Sequence, residues 1–215
     1  MRVQRPGPGG WPPGAVQACL AQPWARGPGT SSLVIGIGNP LRGDDGIGWR
    51  LAAQLPVGSG LVVRCCQQLT PELAADLALV ERVLFLDAWL EPAPGHQAGR
   101  ADRRLGGVQP QSQPPHPLQL TQIGALGEPG PSMPVWAGAA PWGGASHGLS
   151  PLALLALSQA LYGQAPRAQQ LLLPAHGFGH GEGISPALAG RLGEARRLIG
   201  AWIAAGSALQ GRGRA

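Results

Sequence analysis

Two kinds of side chain, carboxylate and imidazole, occur in this sequence at points where chemistry is possible. Asp44 and Asp45 are adjacent acids in a glycine-rich turn that follows an apolar run. Asp87 ends another apolar run, and His147 lies just before a helix start. Carboxylate and imidazole donors together suit a borderline divalent ion such as zinc or nickel, and three protein ligands leave coordination positions open for a substrate. By spacing alone, the sequence predicts a metal-dependent hydrolase or a metal-binding protein.

Each of these residues also has a purely structural interpretation. One acid of the adjacent pair is enough to cap the following helix, which leaves the second for a ligand. Asp87 alone is equally compatible with hydrogen bonds to loop amides, and a single histidine has many structural roles. His176 and His180 lie four residues apart on a glycine-rich loop, where no helix aligns them. We therefore expect these two histidines to be solvated rather than to contact a metal.

Missing motifs exclude several familiar chemistries. Gly36 and Gly38 begin a G-x-G-x-x-G dinucleotide pattern, but its third glycine position is Leu41 and no acid ends the second predicted strand. H-E-x-x-H, G-x-S-x-G and C-x-x-C are absent, so zincin, serine-hydrolase and thiol-redox schemes are unsupported. Three cysteines are too few for a disulfide framework or a zinc knuckle, and we expect the adjacent Cys65 and Cys66 to be thiols in a strand.

The excess of positive charge lies near the two ends of the chain. All 16 cationic residues are arginines, and the formal net charge is +5. Five arginines lie before residue 31 or after residue 207, and the arginines between them balance all 11 acids. This placement argues against a nucleic-acid partner. The first residues lack the apolar segment of a signal peptide, and no apolar run reaches the ~18–20 residues of a membrane span, so we expect a soluble cytoplasmic protein without a membrane partner.

Glycine and proline are concentrated in two regions, 1–30 and 91–145. We expect a disordered N-terminal arm over 1–30 and a long insertion over 91–145 within one folded domain spanning 31–206. Residues 207–215 are expected to form a disordered tail.

The rest of the chain alternates between strand and helix patterns. Continuous apolar runs predict four buried strands, at 33–37, 61–66, 83–87 and 170–173. Helical spacing and capping residues predict four helices, at 47–55, from Thr70 to about Val80, from Ser150 to Tyr162 and from Ser185 to about Ala205. This alternation predicts an α/β fold of three layers, with a mostly parallel sheet and helices on both faces. In such sheets ligands bind beyond the carboxyl ends of the strands, which is where the acids are expected.

The segment 35–48, I-G-I-G-N-P-L-R-G-D-D-G-I-G, closely resembles the signature of the hydrogenase maturation proteases. In that family a strand is followed by G-x-G-N, an apolar residue and then D-D/E-G/A-x-G. Similar blocks follow in the same order at 68–74, 84–88 and 146–151, so the resemblance covers 32–91 and 145–204. It implies a twisted, mainly parallel five-stranded sheet between helices.

The resemblance also implies a function. Family members are endopeptidases that remove a C-terminal extension from the nickel–iron hydrogenase large subunit precursor after nickel insertion. Matched motif by motif, their catalytic and metal-contacting residues become Asp45, Asp87 and His147, with nickel presented by the precursor and another divalent ion possible in the isolated protein. Backbone amides around Gly38 and Asn39 are expected to stabilise the oxyanion, and the protein is expected to be a monomer. The alternative is a non-enzymatic nickel-binding chaperone or scaffold in hydrogenase assembly.

Overall fold

A five-stranded sheet lies at the centre of the computed structural model, which describes residues 32–56, 60–90, 118–123, 149–181 and 183–212. The strands are β1 (Ser32–Ile37), β2 (Leu61–Cys66), β3 (Arg82–Leu90), β4 (Leu120–Ile123) and β5 (Arg167–Ala175). They lie in the order β2-β1-β3-β5-β4. Strands β1, β2, β3 and β5 are parallel, and β4 is antiparallel to β5.

Helices cover both faces of this sheet. They are α1 (Ile47–Ala52), α2 (Leu73–Leu77), α3 (Pro151–Tyr162) and α4 (Pro186–Arg212). Helices α1 and α4 pack on one face, and α2 and α3 pack on the other. The predicted three-layer α/β architecture with a mostly parallel five-stranded sheet is confirmed. Within the described ranges, the helices are too short or too polar to cross a lipid bilayer.

Two apolar clusters hold the layers together, one on each face of the sheet. Successive side chains of a strand point to opposite faces, so a strand covered on both sides must be apolar throughout. All six residues of β1 are buried. Val34 packs with α1 and α4, whereas its neighbours Leu33 and Ile35 pack with α2 and α3. The continuous apolar run that predicted β1 is therefore explained by burial on both faces.

The largest differences between the structure and the predicted elements concern β4 and α4; in addition, β3 and β5 are longer than predicted, and α1 and α2 are shorter. Strand β4 was not predicted and lies within the region assigned to an insertion; it is a short edge strand that is only half-buried, so its sequence carries no long apolar run. Helix α4 continues to Arg212, beyond the predicted end near Ala205 and through most of the predicted tail. Gly206, just past the predicted end, is buried against Arg82. The predicted arm, 1–30, and most of 91–145 lie outside the described residues.

The helix starts show one wrong prediction and one correct one. Helix α2 begins at Leu73 with Glu72 as its N-cap, so Thr70 does not cap it. The N–H of Leu73 instead donates to the Thr70 carbonyl at 3.2 Å, which makes a tight turn before the helix. The Ser150 cap of α3 is confirmed, because its hydroxyl accepts from the N–H of Ala153 at 3.1 Å.

Candidate active site

The turn that joins β1 to α1, residues 38–46, carries both adjacent acids and is called here the acid turn. It begins at Gly38, whose φ of +123° lies in a region that other residues rarely adopt. A Cβ at Gly38 would overlap the backbone carbonyl of Asp45. The turn ends in a 3-10 helix over Gly43–Gly46 that contains Asp44 and Asp45. Close packing between the two ends of the turn therefore requires glycine at position 38.

Asp44 is buried and fully engaged with the chain. Its side chain is 1% exposed and accepts hydrogen bonds from the N–H of His176 at 2.9 Å and the N–H of Ser185 at 2.7 Å. The Ser185 hydroxyl lies 2.8 Å from the same carboxylate. The structural interpretation of one acid is thus correct for Asp44, although it joins the turn to a distant loop instead of capping the helix that follows it.

Asp45 is half-buried, and one of its oxygens points back along the turn. The N–H of Asn39 donates to Oδ2 of Asp45 at 3.2 Å. The N–H of Gly38 donates to the Cys66 carbonyl at 3.0 Å. Both amides that were expected to stabilise an oxyanion therefore already have acceptors within the chain, so that expectation is wrong.

Asp87 lies where β3 extends beyond its neighbour β1. The pairing of β1 with β3 stops at Gly36 and Leu86, one residue before Asp87. Strand β3 itself continues to Leu90, because it stays paired with β5 over this stretch. The prediction that Asp87 ends its strand is therefore wrong. Asp87 does emerge at the carboxyl edge of the sheet, as expected, next to the point where β1 ends and the acid turn begins.

The environment of Asp87 makes it hard to ionise. Burial and the negative charge of Asp45 raise the pKa of Asp87 to about 7, against a hydrogen bond from the N–H of Ala88 at 2.8 Å that lowers it. Burial, with a contribution from Asp87, also raises the pKa of the Cys66 thiol to about 12. The charge of Asp45 thus acts on Asp87 and the charge of Asp87 acts on Cys66, which is a neutral thiol at pH 7.

The two adjacent cysteines differ because they lie on opposite faces of β2. Cys66 is a free thiol, as expected, and packs with the cluster under α2 and α3. Cys65 packs with the other cluster and is disulfide-bonded, so the expectation of a thiol there is wrong. Because successive residues of a strand face opposite sides of the sheet, the two adjacent sulfurs have different surroundings, and only one of them is a free thiol.

His147 lies outside the described residues, and its role as a third metal contact stays a prediction. The described chain resumes at Leu149, which packs against the cluster under α2 and α3. Phe85 belongs to that cluster, and Asp87, two residues further along β3, shares its face of the sheet. The chain next to His147 in sequence therefore packs on the face of the sheet to which Asp87 belongs.

The donors for a metal ion are incomplete within the described part of the chain. No group of three or more His, Cys, Asp or Glu side chains there is arranged to hold an ion. His176 and His180 are both exposed. Asp45 and Asp87 provide carboxylate oxygens, so a complete site requires a further donor from outside the described ranges or from a bound partner.

No protein-family model matches the chain, and no curated protein matches it. Among solved structures, it is similar to the hydrogenase maturating endopeptidase HybD from E. coli, with a TM-score of 0.50 and 16% identity over 82% of this chain and 94% of that one. It is also similar to the nickel–iron hydrogenase maturation protease HycI from Thermococcus kodakarensis KOD1, with a TM-score of 0.45 and 19% identity over 79% and 90% of the two chains. At such identities, the likeness to HybD shows that the chain shares the fold of a hydrogenase maturating endopeptidase.

Proposed function

We propose that the protein is an endopeptidase that removes the C-terminal extension from the nickel-loaded precursor of a nickel–iron hydrogenase large subunit. The observation that carries the proposal is the pair formed by Asp45 and Asp87 at the carboxyl edge of the sheet, with the pKa of Asp87 raised to about 7. The fold shared with HybD and the motif at 35–48 support the choice of substrate.

The acid pair suits peptide-bond hydrolysis at neutral pH. A group with a pKa near the working pH both gives and takes protons efficiently. When contact with the nickel of the precursor ionises Asp87, one carboxylate can accept a proton from water and later release that same proton to the leaving group. In the proposed reaction one carboxylate takes a proton from the attacking water. The oxygen of that water bonds to the scissile carbonyl carbon, and the C=O electron pair moves to the carbonyl oxygen. The C–N bond then breaks, and the leaving nitrogen receives a proton from the pair.

Nickel in this proposal is part of the substrate. Asp45, Asp87 and His147 would contact the metal of the precursor with oxygen and nitrogen donors that suit it. A nearby cation favours the ionised form of a carboxyl group, so contact with nickel lowers the pKa of Asp87 from about 7. A precursor without nickel leaves the two acids repelling each other. Recognition of the metal is thereby linked to the protonation state of the catalytic pair.

The direct test is an incubation of the purified protein with a nickel-loaded, C-terminally extended large subunit, followed by intact mass. We expect loss of a C-terminal peptide that requires nickel in the precursor. Asp45→Asn, Asp87→Asn and His147→Ala should each lower the cleavage rate by about 10²–10⁴-fold. Asp76→Asn is the matched control, because Asp76 is also buried but lies on α2, where its carboxylate pairs with Arg64 at 2.8 Å.

The possible outcomes separate the enzyme from its alternative. Tight binding of the nickel-loaded precursor with no change in its mass would support a nickel-binding chaperone. Normal processing by the folded Asp45→Asn protein would end the assignment of the acid pair. A loss of cleavage in Asp76→Asn as large as that in Asp45→Asn would attribute the effect to lost stability.

A further inference from the structure

We propose that Asp44 is a positioning residue that fixes the orientation of Asp45 by locking the acid turn to the loop between β5 and α4. This loop comprises residues 176–181 and 183–185 and is called here the β5–α4 loop. The consequence for cleavage rests on the proposed function, whereas the consequence for the position of Asp45 does not. The two adjacent acids would then have separate tasks, one holding the turn and the other acting on the substrate.

The contacts that hold the acid turn to the β5–α4 loop, called here the lock, are centred on the Asp44 carboxylate. Oδ1 accepts from the N–H of Ser185, and Oδ2 accepts from the N–H of His176, with the Ser185 hydroxyl also 2.8 Å from Oδ2. Hydrogen bonds to an ionised acceptor are about twice as strong as those between neutral groups. A carboxylate that is 1% exposed depends on such partners, since burial without them is costly. Asp44 therefore binds both ends of the β5–α4 loop.

Backbone contacts extend the lock along the acid turn. The N–H of Asp44 donates to the Gly177 carbonyl at 3.3 Å. The N–H of Gly181 donates to the Leu41 carbonyl at 3.0 Å. Nε of Arg42 donates to the carbonyl of Phe178 at 3.4 Å. The two loops thus meet at three further points, which makes them one structural unit instead of two independent connections.

Asp45 is held between this unit and the end of β1. Its N–H donates to the Arg42 carbonyl at 3.0 Å, so it follows any movement of the residues bound to the β5–α4 loop. On the other side its Oδ2 accepts from the N–H of Asn39 at 3.2 Å. The Asn39 amide is therefore a local reporter of where the Asp45 carboxylate lies. A shift in the position of a catalytic group by about 1 Å can lower a rate by about 10²-fold.

Asparagine cannot replace Asp44 in the lock, although it has the same shape. The two oxygens of Asp44 face two different backbone N–H groups, those of Ser185 and His176. An asparagine amide has one oxygen and one NH₂, so in either orientation a donor faces a donor. Asp44→Asn therefore breaks one of the two backbone contacts without creating a cavity. Asp76→Asn is the matched control at a buried carboxylate outside the lock.

The test combines an amide NMR spectrum with single-turnover cleavage of the nickel-loaded precursor by excess protein. We expect Asp44→Asn to shift the Asn39 amide signal and those of 176–181, and to lower the saturating cleavage rate by about 10²-fold while the half-saturating concentration stays unchanged. Asp76→Asn should leave both the Asn39 signal and the cleavage rate unchanged at a temperature where it is folded. If Asp44→Asn does not fold, Ser185→Ala removes the hydroxyl contact with Asp44, together with the acceptor for the Leu188 N–H at 3.3 Å, and should shift the same signal, with a several-fold loss of rate.

The results distinguish a failure of the positioning role proposed for Asp44 from a failure of the proposed function. If the wild-type protein does not cleave the precursor, the proposed function is wrong, and the Asn39 signal alone decides the lock. An unchanged Asn39 signal in folded Asp44→Asn, or a wild-type cleavage rate in that variant, would overturn the positioning role. An equal shift of the Asn39 signal in Asp76→Asn would overturn it as well, since the signal would then report general loosening.

Discussion

Each end of the parallel strands holds an ionisable side chain whose charged form is disfavoured by burial, but the two side chains have different neighbours. At the amino end, Arg82 at the start of β3 is 9% exposed, and its guanidinium lies 3.5 Å from the centre of the Trp202 ring. It also donates to the Trp202 carbonyl. At the carboxyl end, Asp87 of the same strand has the negative charge of Asp45 near it, and both burial and that charge raise its pKa to about 7.

The difference is consistent with a structural role for the amino end and with the proposed function at the carboxyl end. The cation at the amino end is paired with an aromatic face and a carbonyl from α4, so its environment offsets part of the cost of burial. The acid at the carboxyl end has a like charge as its neighbour, which destabilises the folded protein without ligand. Groups with pKa values perturbed in this way are concentrated at functional sites, which supports the proposed function.

A matched pair of glycine substitutions should give the largest contrast between the two ends. Gly38→Ala forces a side chain into a left-handed conformation and against the Asp45 carbonyl, so the acid turn must move. We expect cleavage of the nickel-loaded precursor to fall by about 10²-fold or more. Gly206→Ala places a Cβ 2.8 Å from Cζ of Arg82 and 2.9 Å from Oγ of Ser32, which should cost about 1–3 kcal/mol of stability and leave the cleavage rate unchanged.

Urea unfolding and single-turnover cleavage measure the two effects separately. Equal losses of cleavage in the two alanine variants, at a temperature where both are folded, would remove the distinction between the ends. A cleavage rate in Gly38→Ala equal to that of the wild-type protein would contradict the requirement for glycine at position 38 in the acid turn.

Removing the charge at the amino end should affect stability alone. Arg82→Ala loses the contact with the Trp202 ring and a charged hydrogen bond, so we expect the free energy of unfolding to fall by about 3 kcal/mol. Arg167→Ala is the control: Arg167 is exposed and contributes to lowering the pKa of Arg82, so its loss should change stability by about 0.5 kcal/mol or less. Chemical denaturation with a cleavage assay on the folded variants checks both. Lost cleavage by folded Arg82→Ala would show that the amino end also serves the reaction.

The pH dependence of stability should carry the signature of Asp87. Its pKa is about 7 in the folded protein and about 3.9 in an unfolded chain, so between these values the folded state binds the extra proton. Stability therefore falls as the pH rises from about 4 to 7, by on the order of 4 kcal/mol. Asp87→Asn should remove this loss and be more stable than wild type at pH 8, while the proposed function predicts that it loses cleavage. Unfolding curves at several pH values test this, and parallel pH profiles for the two proteins would contradict the raised pKa.

The positions of the strands and of the acids at the carboxyl edge were readable from the sequence because local patterns specify them. Apolar runs marked β1, β2 and the start of β3, and the edge of a parallel sheet is where the polar residue after such a run must emerge. Strand β4 was missed because a short, half-buried edge strand has no such run. The predicted end of α4 near Ala205 fell short because the helix continues past Gly206, which is packed against Arg82 and Ser32, and these are tertiary contacts.

Within the candidate site, the sequence identified that one of the two adjacent acids would be structural, but it did not identify the partners. Asp44 is bound by residues more than 130 positions away, His176 and Ser185, and no local pattern links them. The oxyanion expectation failed for a similar reason, since the Gly38 amide is taken by the carbonyl of Cys66 from another strand. The roles of Asp45, Asp87 and His147 remain predictions that the proposed variants test.

The sequence by itself determined the α/β class, the strand that ends in the acid turn and the capped start of α3, because each depends on hydrophobic periodicity or on a capping residue within a few positions. Only the tertiary structure decided which acid of the turn is buried, how far Asp87 extends beyond β1 and why its pKa is raised. Those properties arise from desolvation and from the field of groups that folding brings together, and neither exists in the extended chain.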